Sequence, residues 1–352
     1  MFAAQLQDTK TMEYLELPTP EPGAGQVQVR VHFTGICGSD VPRFHKGAVH
    51  NFPLVLGHEF SGEITAVGQG VDASLVGTRV SGIPLEPCGE CEDCKNGNFS
   101  LCGHYGFVGS RSQGSMAEYV VLPVENVFPL GENVTDMEGA LYEPATVALH
   151  GIELANFHEG ASAIVIGAGT IGILLGQALS GYGAGVVVVS NHSQVRLDAA
   201  KAAGLENLVN TSEEGWLETA KAFIGGKGFD YVFDTAGTPK TIIDAMAVAG
   251  SKGTVVFVGT PKDDVAFTIR EWEMLNRKEL TLIGSWMSYS APWPGVEWVN
   301  VDDFFNRGIM RVVPEMIDGV YKLQETAAAF DRFVGTEKVR GKILIDSWKE
   351  VN

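Results

Sequence analysis

The hydrophobic positions follow two different patterns along the chain. From Val27 to about Leu130, short β-like runs at Val27–Phe33, Phe60–Val67, Thr78–Ile83 and Ala117–Leu122 are broken by glycine. That pattern predicts an irregular β-rich domain. From about Ala161 to Ile283, strand-like runs at Ala163–Ile166, Val186–Ser190, Tyr231–Asp234, Thr254–Gly259 and Leu280–Ile283 alternate with helix-length segments rich in alanine and leucine. Such alternation predicts a parallel sheet covered on both faces. After Trp286 the pattern is mixed again, and the final run, Lys342–Ile345, is expected to fold back onto the first domain. The expected organisation is therefore residues 1–150 with 286–352 as one discontinuous domain, and 151–285 as a second. The fold class is α/β.

Composition narrows this picture. The formal net charge is -18, so a nucleic acid or an anionic membrane is a poor partner. Ala161–Ser190 carries no charge, but its seven glycines and its split into β-rich and helical runs argue against a membrane span. Met1–Lys10 lacks an apolar run behind a basic start, so no secretory leader is expected. Five cysteines, an odd number, argue against a disulfide scaffold and for a reducing cytoplasm.

Four of those cysteines form Cys88-x-x-Cys91-x-x-Cys94 followed by Cys102. Four soft thiolates within fifteen residues suit a tetrahedral zinc ion, and a site made wholly of sulfur leaves no position for water or substrate. A structural zinc is expected there. Cys37 lies in Gly35-Ile36-Cys37-Gly38-Ser39-Asp40, His58 and Glu59 in Gly57-His58-Glu59-Phe60-Ser61-Gly62, and Glu143 in Tyr142-Glu143-Pro144. Each is a zinc-ligand type, yet each alone has an ordinary explanation, and the separations are too long for spacing to join them.

The dinucleotide signal is stronger. Gly167-Ala168-Gly169-Thr170-Ile171-Gly172 follows the apolar run Ala163–Ile166 and opens a helix-like segment ending near Gly181. In that context Gly167 allows the tight turn, Gly169 leaves room for a pyrophosphate, Gly172 lets helix and strand pack, and the helix-start amides face phosphate. Later strand ends carry Thr235, Val258-Gly259-Thr260 and Gly284-Ser285, which are expected to line the same crevice.

These motifs, in this order and over the whole chain, resemble the zinc-containing medium-chain alcohol and polyol dehydrogenases. The resemblance implies a GroES-like catalytic domain joined to a doubly wound Rossmann domain. It implies a catalytic zinc on Cys37, His58 and Glu143, as in the sorbitol-type branch, with Glu59 within exchange distance. It implies Ser39 as the first proton acceptor, although Pro42 stands where many relatives continue the relay with histidine. It also places Lys342 near the pyrophosphate. One catalytic and one structural zinc per chain, and a homodimer or homotetramer, are expected.

Gly284–Gly295 and Cys37–Arg43 are most similar to the galactitol-1-phosphate 5-dehydrogenases. The implied reaction is hydride transfer between a polyol or polyol phosphate and its ketose. Trp286 and Tyr289 are expected at the polyol, and Arg43 at a phosphate. A threonine or simple-alcohol dehydrogenase is the alternative within the class; a non-catalytic dinucleotide-binding member would lack the zinc ligands. At the end of Val186–Val189, where NAD enzymes place an acid on the adenine ribose, the sequence reads Ser190-Asn191-His192-Ser193-Gln194-Val195-Arg196. With no carboxylate to repel a 2′-phosphate, and Arg196 able to pair with one, NADP is expected to be favoured over NAD, with Asn191, His192, Ser193 and Arg196 as contacts.

Overall fold

The computed structural model describes residues 1–348 and divides into two compact units. The first takes Met1–Glu143, Tyr289–Asn306 and the chain from Ile317 onward; the second takes Pro144–Ser288 and Arg307–Met316. The divisions thus fall at Glu143/Pro144 and Ser288/Tyr289, and a short later segment, Arg307–Met316, belongs with the second unit. One reason is visible in the second unit: Gln177 holds Arg311 through both backbone N–H and carbonyl contacts.

The first unit is built around strand Gln26–Gly35, whose inward residues Val27, Val29 and Val31 are fully buried. Their period-two spacing seals one face of the sheet. This strand pairs antiparallel with Glu59–Val67 in a register that sets Gly35 opposite Glu59. It also pairs antiparallel with Lys342–Asp346, with Gly35 opposite Leu344. Three segments distant in sequence therefore end together: the chain entering Cys37, the His58–Glu59 strand start, and Lys342. Gly35 has a steric reason: a Cβ there would lie 2.3 Å from the Glu59 carboxylate oxygen.

The second unit is a six-stranded parallel sheet in the spatial order Asn207–Asn210, Val186–Asn191, Ser162–Ile166, Phe229–Asp234, Ala249–Phe257, Thr281–Gly284. Its strand order reverses beside Ser162–Ile166, which creates a crevice beyond the carboxyl ends of the strands. The central runs are apolar on both faces: Ile164, Val165, Val188, Val189, Val232 and Phe233 are buried. Helix Pro239–Val248 starts on a Thr238/Thr241 capping box with proline in its first turn. Its other end is held by Lys278, whose ammonium donates to the carbonyls of Met246, Ala247 and Ala249 at 2.8–2.9 Å.

One side of this unit is uncovered among the described residues. Thr281–Gly284 is the edge strand, and helix Ile269–Lys278 has no buried residue. Ile269 is 83% exposed, and Phe267, Trp272, Leu282 and Trp286 are exposed as well. No helix among the described residues is long and apolar enough to cross a membrane.

Candidate functional site

Both units carry a candidate site, and the first carries two clusters of metal-ligand side chains. In the cysteine lobe, the sulfurs of Cys88, Cys91, Cys94 and Cys102 lie within 4.8 Å of one another. Cys88 to Cys94 and Cys91 to Cys102 are both 3.9 Å. A tetrahedron with zinc–sulfur bonds near 2.3 Å has edges of about 3.8 Å, whereas a disulfide would bring two sulfurs to about 2.05 Å. The cluster therefore has the dimensions of a zinc site. Backbone N–H groups of Cys88, Cys91 and Cys94 point at the sulfurs of Cys102, Cys88 and Cys91 at 3.4–3.5 Å. Amides from Glu90 and Cys91 draw the Cys88 thiol down to about 6, which favours the thiolate that zinc requires; burial pushes Cys94 up to about 12.

The second cluster joins Cys37, His58 and Glu59, whose ligand atoms also lie within 4.8 Å of one another. His58 and Glu59 are buried, and so is their support. Asp40, fully buried, accepts from Arg43 Nη1 at 2.6 Å and from the Cys37 amide at 3.3 Å, and it lies 3.4 Å from His58 Nδ1. With Nδ1 turned toward Asp40, Nε2 is the nitrogen left for a metal. Burial alone would raise Asp40 and lower His58. Their mutual attraction, helped by Arg43 on one side and Cys37 on the other, reverses both, so Asp40 is lowered and His58 raised well above its usual value.

On the other flank, Lys342 Nζ donates to Glu59 Oε2 at 2.5 Å and to the Ile36 carbonyl at 3.3 Å. Burial disfavours its charge, but Glu59 and Cys37 outweigh that and raise it. Glu143 stands at the start of helix Tyr142–Leu154, where Pro144 is tolerated in the first turn. Tyr142 fixes that start by donating to Asp302 at 2.7 Å and stacking on Phe305. Burial, with Glu59 and Asp40 adding and His58 and Lys342 opposing, pushes Glu143 to about 7. Its carboxylate feels all four groups, but the tight three-residue cluster is completed by Glu59.

The remaining expected residues of this unit have identifiable places. Ser39 is exposed, its amide 3.5 Å from Cys37 Sγ, and its Oγ accepts from Arg43 Nη1 at 3.2 Å. Arg43 thus spends one nitrogen on Asp40 and Ser39, and its other nitrogens leave the expected phosphate contact as a proposal. Lys342 is no surface lysine; its ammonium serves Glu59. Tyr289, expected at a polyol, is 1% exposed, stacked near Trp293 and Trp298, with its backbone locked to Ser100. It is core, because the neighbouring tryptophans bury it. Asp40 was quoted within the Cys37 motif but given no role; its spacing, three residues beyond the cysteine, was the available signal.

In the second unit, a cavity of about 480 Å³ opens at the reversal of strand order. It is lined by Gly167, Gly169, Asn191, His192, Arg196 and Thr235, and also by Thr211, Lys240, Thr241 and Asp244, which sequence reading missed. They were missed because Lys240 and Asp244 sit on a helix with no motif of its own. Gly167 has φ +111°, and a Cβ on Gly172 would strike the Gly167 carbonyl at 1.8 Å. A Cβ on Gly169 would meet only open space, as a cradle for a bound group requires. Thr235 Oγ1 donates to the carbonyls of Ile166 and Gly167, holding the turn. Asn191 takes the Ala168 amide at 3.4 Å.

Thr170, Ile171, Ser193, Val258, Gly259, Thr260, Gly284 and Ser285 do not line this cavity. Ser193 instead precedes helix Gln194–Ala202, and Val258 and Gly259 bond the Asp234 carbonyl. Ser285 Oγ is buried without a hydrogen-bond partner among the described residues. Trp286 is 54% exposed.

Residues 23–132 match the alcohol dehydrogenase GroES-like domain, and residues 170–300 match the zinc-binding dehydrogenase family. A galactitol 1-phosphate 5-dehydrogenase of Escherichia coli (strain K12) is 42% identical over 273 residues, 78% of this chain and 79% of its own. A sorbitol dehydrogenase of Bacillus subtilis (strain 168) is 30% identical over 352 residues, 98% of this chain and 97% of its own. Among solved structures, a galactitol-1-phosphate dehydrogenase from Escherichia coli superposes with a TM-score of 0.92 at 36% identity, covering 99% of this chain and 100% of that one.

Proposed function

The chain belongs to the zinc-containing medium-chain dehydrogenases, and from that premise we propose that it interconverts a polyol or polyol phosphate and its ketose by hydride transfer with NADP. The observation that carries this reading is the Cys37/His58/Glu59 cluster, its His58 and Glu59 buried, with Glu143 close enough to be perturbed by it. Its mixed sulfur, nitrogen and oxygen donors suit a catalytic zinc with an open position, in contrast to the all-sulfur lobe. A zinc ion there would supply Lewis acidity toward a hydroxyl or carbonyl oxygen, and the nicotinamide would accept or return hydride.

The chain's own residues do the rest. Asp40, 3.4 Å from His58 Nδ1, orients the imidazole, Lys342 pairs with Glu59, and Glu143, carried on a separately anchored helix, is the proposed third ligand. Ser39 takes the substrate's hydroxyl proton. As its Oγ takes that proton it releases its own hydroxyl proton to water at this exposed position, without the histidine that many relatives have where Pro42 stands. Trp286, exposed, and Tyr289 are the proposed polyol contacts.

NADP preference rests on the cavity beside Asn191. His192 and Arg196 line it, and no carboxylate stands at the strand end. Arg196→Ala should reduce kcat/KM for NADP far more than for NAD, and Asn191→Asp should move preference toward NAD. A wild-type enzyme that prefers NAD tenfold, roughly 1.4 kcal/mol, overturns this part.

The reading also includes a second copy of the chain and a cytoplasmic site of action. The edge strand Thr281–Gly284 leaves ladder groups open beside exposed Ile269, Trp272 and Leu282, a surface two copies could share about a two-fold axis. Leu282→Lys should shift the mass measured by light scattering toward a single chain. The central test is turnover against galactitol-1-phosphate, ribitol-5-phosphate and the free polyols. NAD(P)H formation with none of them, but with threonine or a simple alcohol, would refute the polyol assignment.

A further inference from the structure

The cavity of the second unit contains a cation–anion pair that the proposed cofactor reading does not use. Lys240 and Asp244 lie one turn apart on helix Pro239–Val248, and both line the cavity. Lys240 Nζ sits 2.5 Å from Asp244 Oδ2. The two ends are unequal: the Lys240 side chain is 71% exposed, that of Asp244 only 14%. The acid is held against the protein, and the lysine reaches it from the solvent side, its ammonium 5.8 Å from the Trp216 ring centroid. Asp244 is also the only carboxylate lining the cavity among the described residues.

We infer that Lys240 and Asp244 form a second determinant of 2′-phosphate selection, acting with opposite signs. This rests on the NADP reading above. When the adenosine carries a 2′-phosphate, Lys240 leaves Asp244 and adds its charge to that of Arg196. Asp244 competes for the lysine and repels the phosphate. An ordinary i,i+4 surface pair behaves differently, because removing either member loses the same small contact. The sign of the two effects therefore separates recognition from local helix support.

The test is calorimetric titration of the full chain with adenosine 2′,5′-bisphosphate and with 5′-AMP. Lys240→Met should weaken the bisphosphate about two- to fivefold, the scale of an exposed ion pair, and leave 5′-AMP unchanged. Asp244→Asn should tighten the bisphosphate by a similar factor. Lys240→Arg should keep the wild-type preference, and raised salt should shrink every difference. The inference is overturned if Asp244→Asn weakens the bisphosphate or leaves it unchanged, or if Lys240→Met moves both ligands together. Wild-type protein that binds 5′-AMP as tightly as the bisphosphate removes the NADP reading and this one with it. Wild-type discrimination that neither variant alters removes only this one.

Discussion

The two metal-ligand clusters of the first unit are assembled by opposite means. The cysteine lobe draws all four sulfurs from fifteen consecutive residues, and backbone amides of the lobe itself point at them. Four thiolates so close together repel one another, and a cation at their centre would offset that repulsion. The Cys37/His58/Glu59 cluster draws on segments far apart, joined by the register of strands Gln26–Gly35, Glu59–Val67 and Lys342–Asp346. Its charges are paired within the protein, Asp40 with Arg43 and His58, Glu59 with Lys342. The lobe is built as a local set of metal-ligand sulfurs; the other site is assembled by the register of the fold.

The largest expected effects break this comparison most directly. Cys37→Ser should reduce turnover to background and leave the melting temperature near that of the parent, because the sheet register persists without the metal. Cys91→Ser should do the reverse: zinc content measured by mass spectrometry should fall from two per chain to one, with a clear loss of thermal stability. Structural zinc is worth roughly 10–16 kcal/mol in small zinc domains, and part of that should be felt here. A Cys91→Ser protein as stable as its parent would mean that the lobe is not organised by an ion.

Glu143→Ala comes next and sharpens the fold-built site. If Glu143 is the third ligand, catalytic zinc or most of the activity should be lost while lobe zinc remains. Full activity with full metal would transfer that role to Glu59, which completes the tighter cluster. Lys342→Met follows. It leaves the buried Glu59 carboxylate without its partner, a loss of about 3–5 kcal/mol in denaturant unfolding, partly relieved if zinc takes that oxygen. Lobe zinc should be unaffected; its loss would show that the two sites are not independently built.

Much of this was legible in the sequence for physical reasons that differ by region. The parallel sheet was readable because strands buried on both faces are apolar throughout, as at Val186–Val189. The lobe was readable because its ligands are local. Strands Phe2–Asp8, Thr11–Glu16, Asn207–Asn210 and Ile317–Lys322 were not read, and most of their positions are polar or only half-buried. The partners of the catalytic cluster were hardest. Lys342 reaches Glu59 across 283 positions, and only the pairing register brings them together. Tyr289 is buried beside Trp293 and Trp298, which its polarity and ring do not show in the sequence. Lys240 and Asp244 enter the cavity from a helix that carries no fingerprint.

The smallest effect concerns Arg43, where two roles compete for one guanidinium. Nη1 is committed to Asp40 at 2.6 Å and Ser39 at 3.2 Å, and the side chain is largely buried. As an anchor, Arg43 holds the carboxylate that orients His58, so Arg43→Ala should lower kcat for phosphorylated and free polyols alike. As a phosphate contact through its other nitrogens, it should raise KM for the phosphorylated substrate alone, by roughly ten- to a hundredfold for a charge-assisted bond of about 1.5–3 kcal/mol. The geometry favours the anchor as the larger part, because the short bond to a fully buried carboxylate exists before any substrate arrives. The expected result is a common drop in kcat within about tenfold, the lower end for supports of a metal-ligating histidine. Arg43→Lys should recover part of it by restoring a charge beside Asp40. A KM increase confined to the phosphorylated substrate, with kcat unchanged, would reverse the order and make Arg43 a recognition residue first.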